Sequence, residues 1–262
     1  MTTQTDSSDS SQAGGFGGAS ALVTGGTSGI GLATALSLAG RGAHVIVTGR
    51  GTGRGDRAVA TIRAAGGKAD FIACDLADAG AVQALARQAA GLAGGHLGVL
   101  VNNAGLYPTG PGPTPQTSVA DFDTAYAINV RAPFILVGEL APAMAARGRG
   151  AIVNVLSMGA RFGMTDGALY GSTKAALGLL TKAWTAEFGR SGVRVNSVSP
   201  GPTRTPGMEI FGPGIDHLAA LAPAARPAEP AEIAAAVTFL ASPDASFVYG
   251  ALLDVDGGRA AT

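Results

Sequence analysis

In YGSTK (170–174) a tyrosine and a lysine stand four residues apart, so on a helix Tyr170 and Lys174 share one face and can act on a single group. A phenol is a poor acid or base at neutral pH, its ordinary pKa being about 10. A neighbouring ammonium favours the phenolate and lowers that value, which is the tuning that general acid–base work requires. Ser157 closes the apolar run GAIVNVLS (150–157) and brings a hydroxyl that can donate to an oxygen gaining charge. A second chemistry sits near the start of the chain. The segment TGGTSGIG (24–31) spaces Gly25, Gly29 and Gly31 around Thr27, Ser28 and Ile30. Residues without a β-carbon allow a tight turn and let a pyrophosphate approach the backbone, and free amides opening a helix favour an anion. Such a turn between a first strand and a helix indicates a dinucleotide.

These groups need a scaffold that gathers them. The chain supplies seven continuous apolar runs rich in Val, Ile and Leu, at 20–26, 43–49, 69–75, 97–105, 150–157, 193–201 and 251–258. They read as buried strands, and the Ala- and Leu-rich stretches between them read as about six helices. Strand–helix alternation of this kind implies an α/β, single-domain Rossmann fold, a doubly wound parallel sheet of about seven strands. Ser157 then falls beyond the carboxyl end of a strand, where open α/β sheets bind ligands. Residues 1–18, polar and then Gly-rich, read as a disordered tail ahead of a domain over 19–262. The segment 106–118 reads as a loop beside the cleft.

Composition narrows the function classes. Lys+Arg and Asp+Glu balance at 18 each, which argues against nucleic acid as the main partner. The single cysteine, Cys74, and three scattered histidines show no metal-ligand spacing, so no metal is expected. No run of eighteen uncharged apolar residues suggests a membrane span, and a cytoplasmic location is the default expectation.

Taken in order, the TGxxxGxG turn, Asp75 after the third run, NNAG (102–105), Asn129 within INV, Ser157, the Tyr170/Lys174 pair, PG at 200–201 and VDGG at 255–258 form a specific series. Over nearly all of 20–258 the chain resembles the short-chain dehydrogenase/reductase family. The resemblance implies hydride transfer between a nicotinamide and a ketone or secondary alcohol, with the protein supplying position and electrostatics. It casts Tyr170 as general acid and base and Ser157 as the donor to the substrate oxygen. Lys174 would depress the Tyr170 pKa and bind the nicotinamide ribose, and Asn129 would hold a water linking Lys174 to solvent. Asp75 and Leu76 would sit against the adenine, and Asn102 and Ala104, with Gly105 in the same motif, would line the adenosine ribose. In PGPTRTP (200–206), Pro200 and Gly201 would border the cofactor, and backbone near Thr203 with the hydroxyl of Thr205 would hold the carboxamide. A homotetramer is also implied, with the helix 170–188 packing against its counterpart.

The second run ends in Gly49–Arg50. An acid at this turn would hold the ribose 2′-hydroxyl of NAD, whereas a guanidinium pairs with the 2′-phosphate of NADP. NADP(H) is therefore expected over NAD(H), with Arg54 able to assist; Thr27 and Ser28 are neutral. The stretch 206–228 reads as a mainly apolar substrate lid, suited to a modest hydrophobic small molecule, and Leu156, Met158, Phe162 and Tyr107 could add to an apolar pocket. The alternatives are reduction of a 3-oxoacyl thioester on a carrier protein, with Arg131 and Arg161 as its basic patch, and a dinucleotide sensor without turnover.

Overall fold

The seven apolar runs form β1 (Ser20–Thr24), β2 (His44–Gly49), β3 (Lys68–Ala73), β4 (Leu97–Asn102), β5 (Gly150–Val155), β6 (Val193–Pro200) and β7 (Leu252–Val255). In the computed structural model, which describes residues 15–107, 113–165, 167–212 and 214–262, they pair into one parallel sheet of order β3-β2-β1-β4-β5-β6-β7. The order reverses between β1 and β4, and a crevice opens there beyond the carboxyl ends of the strands.

Apolar side chains alternate to the two faces of the strands, and helices cover both. On one face Val23, Val47, Val101 and Val153 meet α1 (Gly29–Gly40), α2 (Thr52–Ala64) and α8 (Pro230–Ala241) through Leu38, Ile62 and Val237. On the other, Leu22, Ile46, Leu100 and Ile152 meet α3 (Ala79–Leu92), α5 (Ala132–Ala146) and α6 (Ala168–Phe188) through Leu85, Leu136 and Trp184. α4 (Val119–Tyr126) runs into α5 through a π-helical turn at Ala127–Arg131. By length and composition 119–146 is apolar enough to cross a membrane, yet Leu136, Val137, Leu140 and Met144 are packed in the core. Local signals set the helix starts: the Asp78 carboxylate accepts from Ala81 N before α3, and Glu229 and Glu232 form a capping box before α8. The stretch 206–228 folds as a 3₁₀ segment, Pro206–Phe211, and the short α7 (Gly214–Ala220).

One boundary moves. Phe16, read with the tail, is buried in the core beside α1, its backbone N donating to Arg41 O at 2.9 Å. An aromatic ring gains more by burial than the short Gly-rich approach costs in ordering. The rest of the expected tail, residues 1–14, lies outside the described residues, as does 108–112 of the expected loop.

Candidate active site

The turn after β1 is built around glycines. Gly25 (φ 64°) and Gly29 (φ 52°) take left-handed backbone that other residues resist. A β-carbon on Gly31 would lie 2.3 Å from the Gly25 carbonyl oxygen, and one on Gly26 would lie 2.7 Å from Val47. From beneath, Thr24 Oγ1 accepts from Asn103 N and Ala104 N, both at 3.0 Å, and donates to Val101 O. Asn103 Nδ2 donates to Thr24 O at 2.8 Å. These bonds lash the ends of β1 and β4 together at the point where strand order reverses, and leave the opening amides of α1 facing the crevice.

Across the crevice Ser157 leaves β5, its Oγ accepting from Gly159 N at 3.2 Å and bonding the Tyr170 hydroxyl. α6 starts at Ala168, which sets Tyr170 and Lys174 on its first two turns. Lys174 is 2 % exposed; its Nζ donates to Val155 O at 2.9 Å and stands 5.7 Å from the Tyr170 ring centroid. Burial pulls the Lys174 ammonium down to about 8. Burial also pushes the Tyr170 phenol up to about 12, with Tyr107 adding to the rise and the Ser157 hydrogen bond opposing it. In the chain by itself, desolvation of the phenolate therefore outweighs the Ser157 hydrogen bond, and the expected lowering of Tyr170 depends on charge that the cofactor brings. Asn129 sits fully buried in the π-helical turn, a geometry that recurs at functional sites. Its Nδ2 donates to Leu106 O and Thr173 Oγ1, both at 3.0 Å, and its Oδ1 accepts from Leu106 N at 2.7 Å. It thus ties the segment after β4 to α6 beside Lys174.

One cleft of about 740 Å³ joins these groups, running from Gly25 through Gly31 to Ser157, Tyr170 and Lys174. A family model described as enoyl-(acyl carrier protein) reductase matches residues 25–260. The chain belongs to the short-chain dehydrogenase/reductase family. It is 38% identical to cyclopentanol dehydrogenase of Comamonas sp., covering 92% of this chain and 96% of the relative. It is 40% identical to cis-4-hydroxycyclohexanecarboxylate dehydrogenase of Sinomonas cyclohexanicum, with the same two coverages. A solved structure described as a betaketoacyl-ACP reductase matches with 50% identity and a TM-score of 0.85, over 94% of this chain and 100% of that one. One described as an NAD(P)-dependent gluconate 5-dehydrogenase from Beutenbergia cavernae, with bound NADP at low occupancy, matches with 34% identity and a TM-score of 0.89, over 95% and 99%.

Against the family series, most expected residues line the cleft: Gly25, Thr27, Ser28, Gly29, Ile30, Gly31, Arg50, Asp75, Leu76, Ala104, Gly105, Ser157, Tyr170, Lys174, Pro200, Gly201, Thr203 and Thr205. Asp75 is exposed, its Oδ1 accepting from Ala77 N at 3.0 Å. Asn102 does not line it. Its side chain turns to the α6 side of the sheet, where Nδ2 donates to Asn154 Oδ1 at 2.9 Å, and Asn154 Nδ2 donates to Thr181 Oγ1 at 2.8 Å. Strand alternation after Leu100 already required that face. Of the expected apolar pocket, Tyr107, Leu156 and Met158 line the cleft, whereas Phe162 lies under the Arg259 guanidinium, 4.8 Å from ring centroid to Cζ. The expected basic patch is committed elsewhere: Arg161 pairs with Asp254 at 3.3 Å, and Arg131 donates to the Ala77 carbonyl. Met164, Gly167, Met208 and Leu218 also line the cleft, and only the lid span hinted at the last two.

Proposed function

We propose that the protein is an NADP(H)-dependent oxidoreductase acting on a ketone or secondary alcohol, with Tyr170 as its general acid and base. The observation that carries this reading is the single cleft with the glycine turn at one end and Ser157, Tyr170 and Lys174 at the other. The residues fit a dinucleotide, because the turn has no room for a β-carbon at Gly31 and bares the N-terminus of α1 to a pyrophosphate. Asp75 and Leu76 would meet the adenine, Ala104 and Gly105 the adjoining ribose, and backbone near Thr203 with the hydroxyl of Thr205 the carboxamide, Pro200 and Gly201 bordering the cofactor. Arg50 and Arg54 line the cleft where a 2′-phosphate would lie. Gly49, where an NAD-selecting acid would stand, brings no carboxylate to that end of the cleft. Bound there, the dinucleotide would supply or accept the hydride.

The chain's own part is proton and charge. Ser157 would donate to the substrate oxygen and stabilise charge developing on it. Tyr170, held protonated by burial, is suited to give its proton to a carbonyl oxygen. Taking a proton from an alcohol needs added positive charge near the phenol, and Lys174 provides it while protonated. Asn129 has a second acceptor lone pair on Oδ1 for a water beside Lys174. The 50%-identical structural neighbour favours a second reading, reduction of a 3-oxoacyl thioester on a carrier protein. That reading needs a docking patch, and Arg161 and Arg131 are already engaged. We also propose a cytoplasmic homotetramer, which light scattering would test against a mass four times the 25.7 kDa chain.

The deciding measurement is the initial rate of NADPH oxidation with a panel of simple ketones and 3-oxoacyl thioesters, repeated with NADH. NADPH is expected to be preferred, and Tyr170→Phe is expected to lower kcat by about 10³ while NADPH still binds. Undiminished turnover in that variant would remove Tyr170 from the role.

A further inference from the structure

Beyond the reacting trio the cleft is walled by Tyr107, Leu156, Met158, Met164, Met208 and Leu218. We infer that this end of the site takes a compact, uncharged ketone or its alcohol and discriminates against a carboxylate-bearing counterpart, an inference that rests on the oxidoreductase reading above and narrows its substrate. The first observation is the wall itself. Three of the chain's five methionines stand here, and their unbranched, polarizable thioethers adapt to rings and branched carbon skeletons. Tyr107 packs on Tyr170 with ring centroids 4.7 Å apart, so an aromatic surface adjoins the reacting hydroxyl. A carboxylate pressed against such a wall gives up water and gains no donor.

The second observation is where the cations go. Arg161 is paired with Asp254 at 3.3 Å, and Arg204 with Asp216 at 2.9 Å and Glu229 at 3.7 Å. The Arg259 guanidinium covers Phe162, and buried Lys174 donates to Val155 O. Arg50 and Arg54 line the cleft beside Gly49 and Gly51, at the glycine-turn end. Among the described residues, the arginines bordering the substrate end are paired or packed, and Lys174 is held at the Tyr170 end by Val155 O, so a carboxylate against the methionine wall finds no counter-charge beside it. One relative is named for cis-4-hydroxycyclohexanecarboxylate, which bears a carboxylate, and another for cyclopentanol, which bears none. On this ground the present site groups with the second.

The test uses the full chain, NADPH, and three ketones that differ by charge alone or by size: cyclohexanone, 4-oxocyclohexanecarboxylate and the methyl ester of that acid. The expected result is a kcat/KM for the ester at least about 30-fold above that for the acid, with cyclohexanone turned over as well. An acid used as well as its ester overturns the inference and leaves the oxidoreductase reading in place. No turnover of any ketone, and none of the alcohols with NADP⁺, overturns both. A Met164→Arg variant supplies a counter-charge and is expected to move the acid-to-ester ratio about tenfold toward the acid. An unchanged ratio would take Met164 out of the substrate wall.

Discussion

Burial pushes the Tyr170 phenol up to about 12 and pulls the Lys174 ammonium down to about 8, so between those values both groups are neutral in the folded chain. The stability consequence for Lys174 follows from proton counting. Below pH 8 the lysine is charged folded and unfolded, and the cost of burying the charge is present in full. From about 8 to the ordinary 10.5 the unfolded chain binds more protons, so stability rises with pH. Lys174→Met should then stabilise the folded chain by about 2 kcal/mol at pH 7, allowing for the lost bond to Val155, with the gain fading toward pH 10.5. Denaturant unfolding at pH 7 and pH 10 reads this directly; a gain that grows with pH would contradict it. The variant should also be nearly inactive, which separates what the lysine does for chemistry from what it does for stability. At the other end of the cleft, replacing Arg50 and Arg54 together by Ala should lower kcat/KM for NADPH about 100-fold and leave NADH nearly unchanged. Equal losses with both nucleotides would show that the two arginines do not read the 2′-phosphate.

The segment that follows β5 carries Ser157 and one wall of the cleft, and it is held from two sides. A β-carbon on Gly171 would lie 2.8 Å from the Gly159 carbonyl oxygen, so the segment rests directly on the backbone of α6 next to Tyr170. On the outer side Arg161 reaches Asp254 on β7, and Phe162 lies under Arg259. Asp254→Ala should therefore raise KM for the ketone about fivefold while kcat and the NADPH Kd change little, and Asp254→Glu should recover part of the loss. A loss confined to kcat would point instead to a displaced Ser157. None of this fastening was legible in the sequence, because Arg161 and Asp254 become neighbours only when β5, β6 and β7 lie side by side. The strands themselves were legible, since a strand buried on both faces is a continuous apolar run. So was the Tyr170–Lys174 face, which needs only helical spacing. The Met164 wall was not, because an apolar residue on a loop carries no periodic signal.

At the scale of the whole molecule the sheet was readable from alternation alone, whereas the fate of its first residues was not. Phe16 has no strand or helix pattern around it, yet its ring is buried in the same core as Leu38 and Val45. Phe16→Ala should cost about 3 kcal/mol and, at this chain length, lower Tm by roughly 6–10 °C. An unchanged Tm would mean that the ring is not held there in solution. Asn102 was misplaced for the opposite reason: a motif suggested a ligand where strand alternation required the interior. The bonds from Asn102 through Asn154 to Thr181 run from β4 across β5 into the fourth turn of α6. A rotation of α6 by one residue, roughly 100°, would break that line and swing Tyr170 away from Ser157. The carboxamides thus act as an indexing pin, fixing the angular setting of the helix against the sheet. Met164 and Met208 stand on segments after β5 and β6, outside the line of bonds that makes the pin. Substrate scope in this scaffold can accordingly drift, by inheritance or by design, through substitutions at Met164 and Met208, while the setting of the proton-transfer groups stays locked.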